Sequence, residues 1–314
     1  MKVLITGVAG FIGSNFAAEI LELDYEVLGV DSFTTNYAKE IKQRNIDPLS
    51  KHKNFKFREI NLLEKNLDDL LLGVDAVFHF AGHPSVHSSW GPDFSTYSER
   101  NIVLTQNLLK ASLDKGVKKF IYSSSSSVYG RIVTGPTRES DPVNPVSPYG
   151  VTKLAAENLV TLYGKEFGLE TVSLRYFTVY GPRQRPDMAF NKLINSALFG
   201  LPFELHGDGS QIRDFTYVKD VVQANLLALK SRTKPGDIFN IGGGSPVTML
   251  HVMGIIEKIT SSKINLVRKE MGPGNPMVTS ADCSKAIAEL GWNSSVVIED
   301  GIRKQVDWHK SIAK

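Results

Sequence analysis

The chain is poor in the residues that mark a disulfide framework or a metal site. One cysteine, Cys283, stands among 314 residues, so no intrachain disulfide can form. That fits a reducing compartment. There is no Cys-x-x-Cys, and the seven histidines form no His-x-x-x-His pair with an intervening glutamate. No metal is therefore expected. No apolar run is long enough to span a bilayer. Charge of either sign is not in excess: the formal net charge is +3, and lysines and arginines form no long block. Nucleic-acid and membrane-surface partners are not indicated, whereas a small anionic substrate is compatible. Tryptophan is scarce, and Trp90, Trp292 and Trp308 read as packing residues. His79 and His251 read as packed or hydrogen-bonded, and Cys283 as a buried apolar residue. A cytoplasmic enzyme is the default expectation.

The chain is long enough for one large or two modest domains. Val3–Thr6, Glu26–Asp31, Phe55–Ile60, Ala76–Ala81, Lys119–Ser123 and Thr171–Tyr176 read as strands. They are rich in β-branched and aromatic residues and lack strict alternation, which predicts burial on both faces. Helical patterns lie near Phe11–Leu23, Asn101–Lys115 and Tyr149–Phe167, while Phe33–Asn54 reads as mostly irregular. This order predicts an α/β chain with a Rossmann-type doubly wound parallel sheet. After about Phe177 turn residues cluster at Gly181–Pro186, Gly207–Ser210 and Gly242–Pro246. A smaller C-terminal α/β substrate lobe is expected over 178–314, against a dinucleotide lobe over 1–177. Segments near 218–245 are expected to return to the first lobe.

The stretch Thr6-Gly7-Val8-Ala9-Gly10-Phe11-Ile12-Gly13 follows a predicted strand and opens a predicted helix. Glycines there permit a tight turn and let a pyrophosphate approach backbone amides at a helix N-terminus. Asp31 ends the second strand, placed to accept hydrogen bonds from ribose hydroxyls and to repel a 2′-phosphate. The cofactor expected is NAD rather than NADP. The run Ser123–Ser127 directly follows an apolar strand, where ligands bind in open α/β sheets.

Further on stands Ser147-Pro148-Tyr149-Gly150-Val151-Thr152-Lys153. Ser147 suits a helix N-cap and Pro148 the first helical position. Tyr149 then falls in the first turn, with Lys153 four residues on and on the same face. A free tyrosine titrates near pH ~10 and is a poor base. A neighbouring cation and a helix N-terminus both stabilise its phenolate, which would let it exchange a proton at neutral pH.

Taken together these motifs resemble the extended short-chain dehydrogenase/reductase family, in particular its nucleotide-sugar epimerases and dehydratases. The resemblance spans essentially the whole chain. It is carried by the glycine-rich opening, His79-Phe80-Ala81-Gly82, Asn101, Ser-Ser-Val-Tyr-Gly at 126–130, Tyr149 with Lys153, and Arg213-Asp214-Phe215-Thr216-Tyr217-Val218. The resemblance implies NAD held by Gly7, Gly10, Phe11, Ile12, Gly13, Asp31, Asn61, Leu62, Ala81, Gly82, Asn101, Tyr149, Lys153 and Tyr176. It implies catalysis by Ser125, Tyr149 and Lys153, a UDP- or dTDP-sugar substrate, and a homodimer built from helices near 101–115 and 149–167. Arg213 would hold the UDP diphosphate, or else form a surface ion pair with Asp214 or Asp220.

Relatives that dehydrate sugars carry Asp-Glu where this chain has Ser126-Ser127, and decarboxylases carry Glu near 127. Serines cannot donate protons near neutral pH, so simple epimerisation is expected. Thr178, with Arg183-Gln184-Arg185-Pro186, and Ser88-Ser89-Trp90 are similar to the UDP-glucuronate 4-epimerases. Ser126, Ser127 and Thr178 would hold a sugar carboxylate. Arg185 would add a charge-assisted bond or order a surface loop. Departures from the pattern are Asn61 for Asp, His87 for Arg and Gly272 for Arg. The expected reaction is C4 epimerisation of UDP-glucuronate to UDP-galacturonate through a 4-keto sugar. The alternatives are UDP-glucose/UDP-galactose 4-epimerisation and a non-enzymatic NAD-binding regulator.

Overall fold

The computed structural model describes residues 1–131, 135–270, 272, 274 and 276–313. The first part of the chain gives β1 (Lys2–Thr6), α1 (Phe11–Leu21), β2 (Glu26–Asp31), α2 (Lys39–Ile46), β3 (Phe55–Glu59) and β4 (Ala76–His79). Then come α3 (Phe94–Ser98), α4 (Leu104–Asp114), β5 (Lys119–Ser125), α5 (Pro148–Phe167) and β6 (Glu170–Tyr176). The later part gives β7 (Val179–Tyr180), α6 (Ala189–Phe199), β8 (Phe203–His206), β9 (Ile212–Arg213) and β10 (Thr216–Tyr217). It ends with α7 (Val218–Lys230), β11 (Asp237–Ile241), β12 (Val247–Thr248), α8 (Met249–Thr260), β13 (Leu266–Lys269) and α9 (Ile298–Ile312).

Among the described residues one seven-stranded sheet forms in the order β3-β2-β1-β4-β5-β6-β11. Every neighbouring pair in it is parallel. Successive side chains on a strand point to opposite faces, and here both faces are covered. Val3, Ile5, Phe78 and Ile121 pack with Phe16 and Ile20 of α1 and Val221 of α7. Leu4, Val77 and Phe120 face the other way, against Leu108 of α4 and Val160 of α5. That is why β1, β2 and β4 read as continuous apolar runs, whereas β3 at the sheet edge, also expected to be buried on both faces, alternates and buries only Phe55.

The sheet turns back on itself at β1: the chain builds outward through β2 and β3, then crosses to β4 and builds the other way. Such a reversal leaves a crevice at the carboxyl ends of β1 and β4. The last strand, β11, arrives after the excursion through β7–β10 and pairs with β6 from Asp237↔Val172 to Ile241↔Tyr176. The short pairs β7/β10, β9/β12 and β8/β13 lie outside the main sheet.

Two local expectations are corrected. The segment 33–54 is not mostly irregular, since it contains α2 and a 3-10 turn over Leu49–Lys51. Its buried positions are Lys42, Asn45 and Ile46, so no apolar period marks the helix. The helix expected over 101–115 starts earlier and irregularly, with a π-helical turn over Glu99–Val103 before α4. Asn101 is the buried residue of that turn. Among the described residues no helix is long and apolar enough to cross a membrane.

Candidate active site

The crevice begins with the turn after β1. Gly7 has φ +68°, and a Cβ there would lie 2.8 Å from the Ala81 nitrogen. A Cβ on Gly10 would come within 3.1 Å of the Gly7 oxygen, and one on Gly13 would strike that oxygen. The turn therefore lies flat against the 80–81 loop, with no side chain between them. Gly10 caps α1 without a side chain, so the first-turn amides of α1 receive no side-chain partner. They form an anion-binding end of the helix. Thr6 and His79 tie β1 to β4 below this turn, with the Thr6 hydroxyl 2.8 Å from His79 Nδ1. Burial pushes the His79 pKa down to about 3, so the ring is a neutral linker. The Thr6 oxygen also accepts from the Ala81 amide at 3.2 Å.

Asp31, at the end of β2, accepts from the Ala9 amide at 3.1 Å and the Phe33 amide at 2.9 Å. Burial raises its carboxyl above the usual range, opposed by those amides and by Lys42. Asn101 clamps the loop after β4: its oxygen accepts from the His83 amide at 2.6 Å, and its nitrogen donates to the Thr152 hydroxyl at 2.9 Å. Tyr176 is buried with its hydroxyl 3.0 Å from the Asn225 oxygen.

Tyr149 sits where the helix start predicts. Ser147 accepts from the Gly150 amide at 3.0 Å, and Pro148 opens the helix. The Tyr149 hydroxyl is hydrogen-bonded to Ser125, and Ser125 also accepts from the Ser127 amide at 3.1 Å. Burial pushes the phenol up, while Ser125 and the Arg185 charge pull it back. Lys153 donates to the Ser123 carbonyl and lies 4.2 Å over the Tyr122 ring. Burial pulls its pKa down to about 7, against the opposing pull of Glu157.

A cleft of about 430 Å³ runs over all of these groups. Every residue the sequence assigns to the cofactor lines it, as do Ser125, Ser126, Ser127, Thr178 and Arg185. Arg185 is drawn in by a turn pinned to α1: Asn15 donates to the Pro182 carbonyl at 3.1 Å, and Arg183 to the Ser14 carbonyl at 2.8 Å. Its guanidinium meets Asp187 through two 2.9 Å bonds. Arg213 is not brought to this cleft, nor is it paired with Asp214 or Asp220. It donates to the Ile212 and Met277 carbonyls at 2.9 and 3.3 Å. Of the departures, Asn61 lines the cleft and donates to Glu64 at 2.7 Å. The His87 ring stacks on His206 at 5.5 Å, and a Cβ on Gly272 would lie 3.9 Å from it.

The sequence reading missed Tyr37 and Lys42, which line the cleft from the segment read as irregular. Lys42 is only 3% exposed and donates to the Thr34 hydroxyl at 3.0 Å. A lysine so buried signals a site, but burial is invisible without the fold. Among the described residues no group of three or more His, Cys, Asp or Glu is placed to hold a metal ion.

A family profile described as "NAD dependent epimerase/dehydratase family" matches residues 3–242. The chain belongs to this family. Among relatives of this epimerase/dehydratase is the uncharacterized UDP-glucose epimerase YtcB of Bacillus subtilis (strain 168). It is 41% identical over 313 residues, covering 99% of both chains. The UDP-glucuronate 4-epimerase of Thermodesulfobacterium geofontis (strain OPF15) is 36% identical, covering 98% of this chain and 95% of its own. A crystal structure of UDP-glucuronic acid 4-epimerase from Bacillus cereus, in complex with UDP-glucuronic acid and NAD, superposes with a TM-score of 0.96. It is 41% identical and covers 99% of this chain and 100% of that one.

The glycine turn fits NAD. A Cβ at Gly7 would strike the Ala81 backbone and one at Gly13 the Gly7 carbonyl, so the close packing that holds the turn at the start of α1 admits no side chain. Gly13→Ala drives a methyl group into the Gly7 carbonyl. The expected outcome is a loss of about tenfold or more in NAD affinity, equivalent to ~1.4 kcal/mol or more. Calorimetric titration of cofactor-stripped protein checks it, and unchanged affinity would show that the turn has room to spare.

Proposed function

We propose that this chain interconverts UDP-glucuronate and UDP-galacturonate by NAD-dependent epimerisation at C4. The observation that carries the reading is the set of groups sharing one cleft wall. Tyr149 hydrogen-bonded to Ser125 lies beside Lys153, with only hydroxyls at 126, 127 and 178. The catalytic groups are Ser125, Tyr149 and Lys153. Cofactor-binding groups are the glycine turn, Asp31, the loop at Ala81–Gly82, Asn101 and Tyr176. Asn61 and Leu62 complete them at the adenine end. On this reading the lobes divide at 177/178, with 218–245 returning to the first.

Tyr149 as phenolate takes the proton of the C4 hydroxyl, and Ser125 steadies that oxygen. NAD, held over the cleft by the glycine turn, Asp31 and Asn101, would supply the hydride acceptor for the C4 hydrogen and the donor for its return to the opposite face. Lys153 keeps positive charge beside the phenolate. Between the two transfers the 4-keto sugar must turn over, so the protein has to grip UDP firmly and the sugar loosely. Hydroxyls give that looseness where an ion pair would not. Dehydration and built-in decarboxylation need an additional acid or base, and serines at 126 and 127 supply neither.

A 4-keto uronate is a β-keto acid and loses carbon dioxide when its carboxylate is desolvated and turned out of the carbonyl plane. Hydrogen bonds from Ser126, Ser127 and Thr178 keep the carboxylate polar-solvated and oriented, with Arg185 beside them. The neutral reading, UDP-glucose/UDP-galactose epimerisation, is favoured by the same uncharged lining and by the similarity to the UDP-glucose epimerase YtcB of Bacillus subtilis. Arg213 remains a candidate for the UDP diphosphate only if its guanidinium leaves the Ile212 and Met277 carbonyls.

We place a homodimer contact on the outer flank of α4 and α5, as the family resemblance implies. Val103, directly before α4, and Val151 and Leu162 on α5 are 46%, 47% and 49% exposed, apolar side chains of the kind that subunit contacts cover. A cytoplasmic setting suits the lone thiol of Cys283.

Incubation of the purified protein with each UDP-sugar, read by NMR at C4, is expected to show UDP-glucuronate converted and UDP-glucose converted slowly or not at all. Tyr149→Phe is expected to cut kcat about 10²–10⁴-fold, and retained turnover would sink the reading. Thr178→Ala is expected to leak UDP-pentose, detected as a second anomeric signal, whereas unchanged product purity would dismiss the role given to that hydroxyl. Leu162→Lys is expected to shift the sedimentation coefficient from dimer to monomer. A wild-type chain that already sediments as a monomer would remove the dimer.

A further inference from the structure

Behind Tyr149 and Lys153 on α5 lies a charged pair that the reaction does not touch. Glu157 is 1% exposed and Arg175, on β6, is 3% exposed. Arg175 reaches Glu157 through two bonds, Nε to Oε2 at 3.0 Å and a terminal nitrogen to Oε1 at 2.6 Å. The Ser124 hydroxyl donates to the same carboxylate. The other terminal nitrogen of Arg175 donates to the Tyr129 hydroxyl at 2.7 Å, which donates to Asn240 at 2.6 Å. Taking two ions out of water is costly, and the attraction between them often only breaks even. Stability alone is thus a weak reason for such a pair.

Its position gives a better one. Residues 149, 153 and 157 follow each other at four-residue steps along one stripe of α5. Each meets one of three consecutive residues of β5: Tyr149 meets the Ser125 hydroxyl, Lys153 the Ser123 carbonyl, and Glu157 the Ser124 hydroxyl. A slip of the helix along the strand breaks all three bonds at once. We propose that Glu157, fixed by Arg175 and Ser124, is a positioning residue that locks α5 in register on β5 and supplies the negative charge that keeps the Lys153 ammonium beside Tyr149.

The surroundings of Lys153 leave that task to Glu157. On its own helix it has Tyr149 and Glu157; from β5 it meets the Tyr122 ring and the Ser123 carbonyl. From β4 comes His79, which is neutral. Arg175 lies beyond Glu157, against Tyr129 and the Glu139 carbonyl. Glu157 is the carboxylate that opposes the desolvation of Lys153. Removing it makes the ammonium easier to deprotonate. Its support for a Tyr149 phenolate is then lost at a lower pH.

The inference rests on the proposed function only in taking Tyr149 and Lys153 as the reactive pair, and one of its two readouts needs no turnover. In the NAD-bound protein, the Tyr149 phenolate is titrated by ultraviolet difference absorbance against Tyr149→Phe. Separately, kcat is followed against pH. Glu157→Gln is expected to displace the Tyr149 titration and to lower the alkaline limb of kcat, each by about one unit. The pH profile then narrows from its alkaline side. Glu157→Gln leaves Arg175 as a lone buried cation, so the double variant Glu157→Gln/Arg175→Gln removes both ions and is expected to narrow the profile likewise. Folded variants with lower kcat but unmoved limbs would overturn the inference and leave the pair a packing element. If the wild type epimerises no UDP-sugar, the proposed function fails while the phenolate titration still decides this point.

Discussion

The site depends on the lateral pairing of β1 with β4. These strands are adjacent in the sheet but far apart in the chain, and the connections leaving them diverge. The Thr6–His79–Thr105 hydrogen bonds run through this seam, 2.8 and 3.0 Å long, joining β1, β4 and α4. With the seam fixed, the Gly7 turn can lie against Ala81 and aim the α1 amides outward. The π-helical turn that precedes α4 then offers Asn101 to the loop after β4. Shift the two strands by one residue, and each of these groups would face the opposite side of the sheet.

Two opposing effects shape the proposed reactive pair. Burial favours the neutral form of both Tyr149 and Lys153, raising one group and lowering the other. The proton transfer proposed for the sugar needs the opposite: a phenolate and an ammonium. Local partners resist the burial, Ser125 and Arg185 for the tyrosine and Glu157 for the lysine. The site is thus poised rather than relaxed, as expected where a group of ordinary pKa near 10 has to work near neutrality.

Much of this was legible in the sequence, for physical reasons. Strands buried on both faces announce themselves as apolar runs, and β2 matches its expected span of Glu26–Asp31. A Ser-Pro helix start is a local signal that no tertiary contact has to rescue, and α5 begins at Pro148 as predicted. The glycine turn was legible because close backbone approach excludes every other residue. Other features were hidden. Helix α2 buries Lys42 and Asn45 beside a single apolar residue, Ile46, so its apolar period is silent. The placement of Arg213 against the Ile212 and Met277 carbonyls depends on pairing between β9 and its neighbours, which no local pattern encodes. The Glu157–Arg175 pair joins residues 18 apart across a helix-strand packing that only the fold creates.

The late arrival of β11 has a consequence for how the molecule comes into being. Until residue 241 has been synthesised, β6 presents an open row of backbone donors and acceptors from Val172 to Tyr176. The intervening lobe has to leave the ribosome before that edge is closed. At ordinary elongation rates of ~5–20 residues per second, the gap of roughly sixty residues leaves the edge bare for several seconds. A nascent chain of this kind is exposed to strand-mediated association during that interval, so its yield in a crowded cell is governed by the timing of translation as well as by the stability of the finished fold.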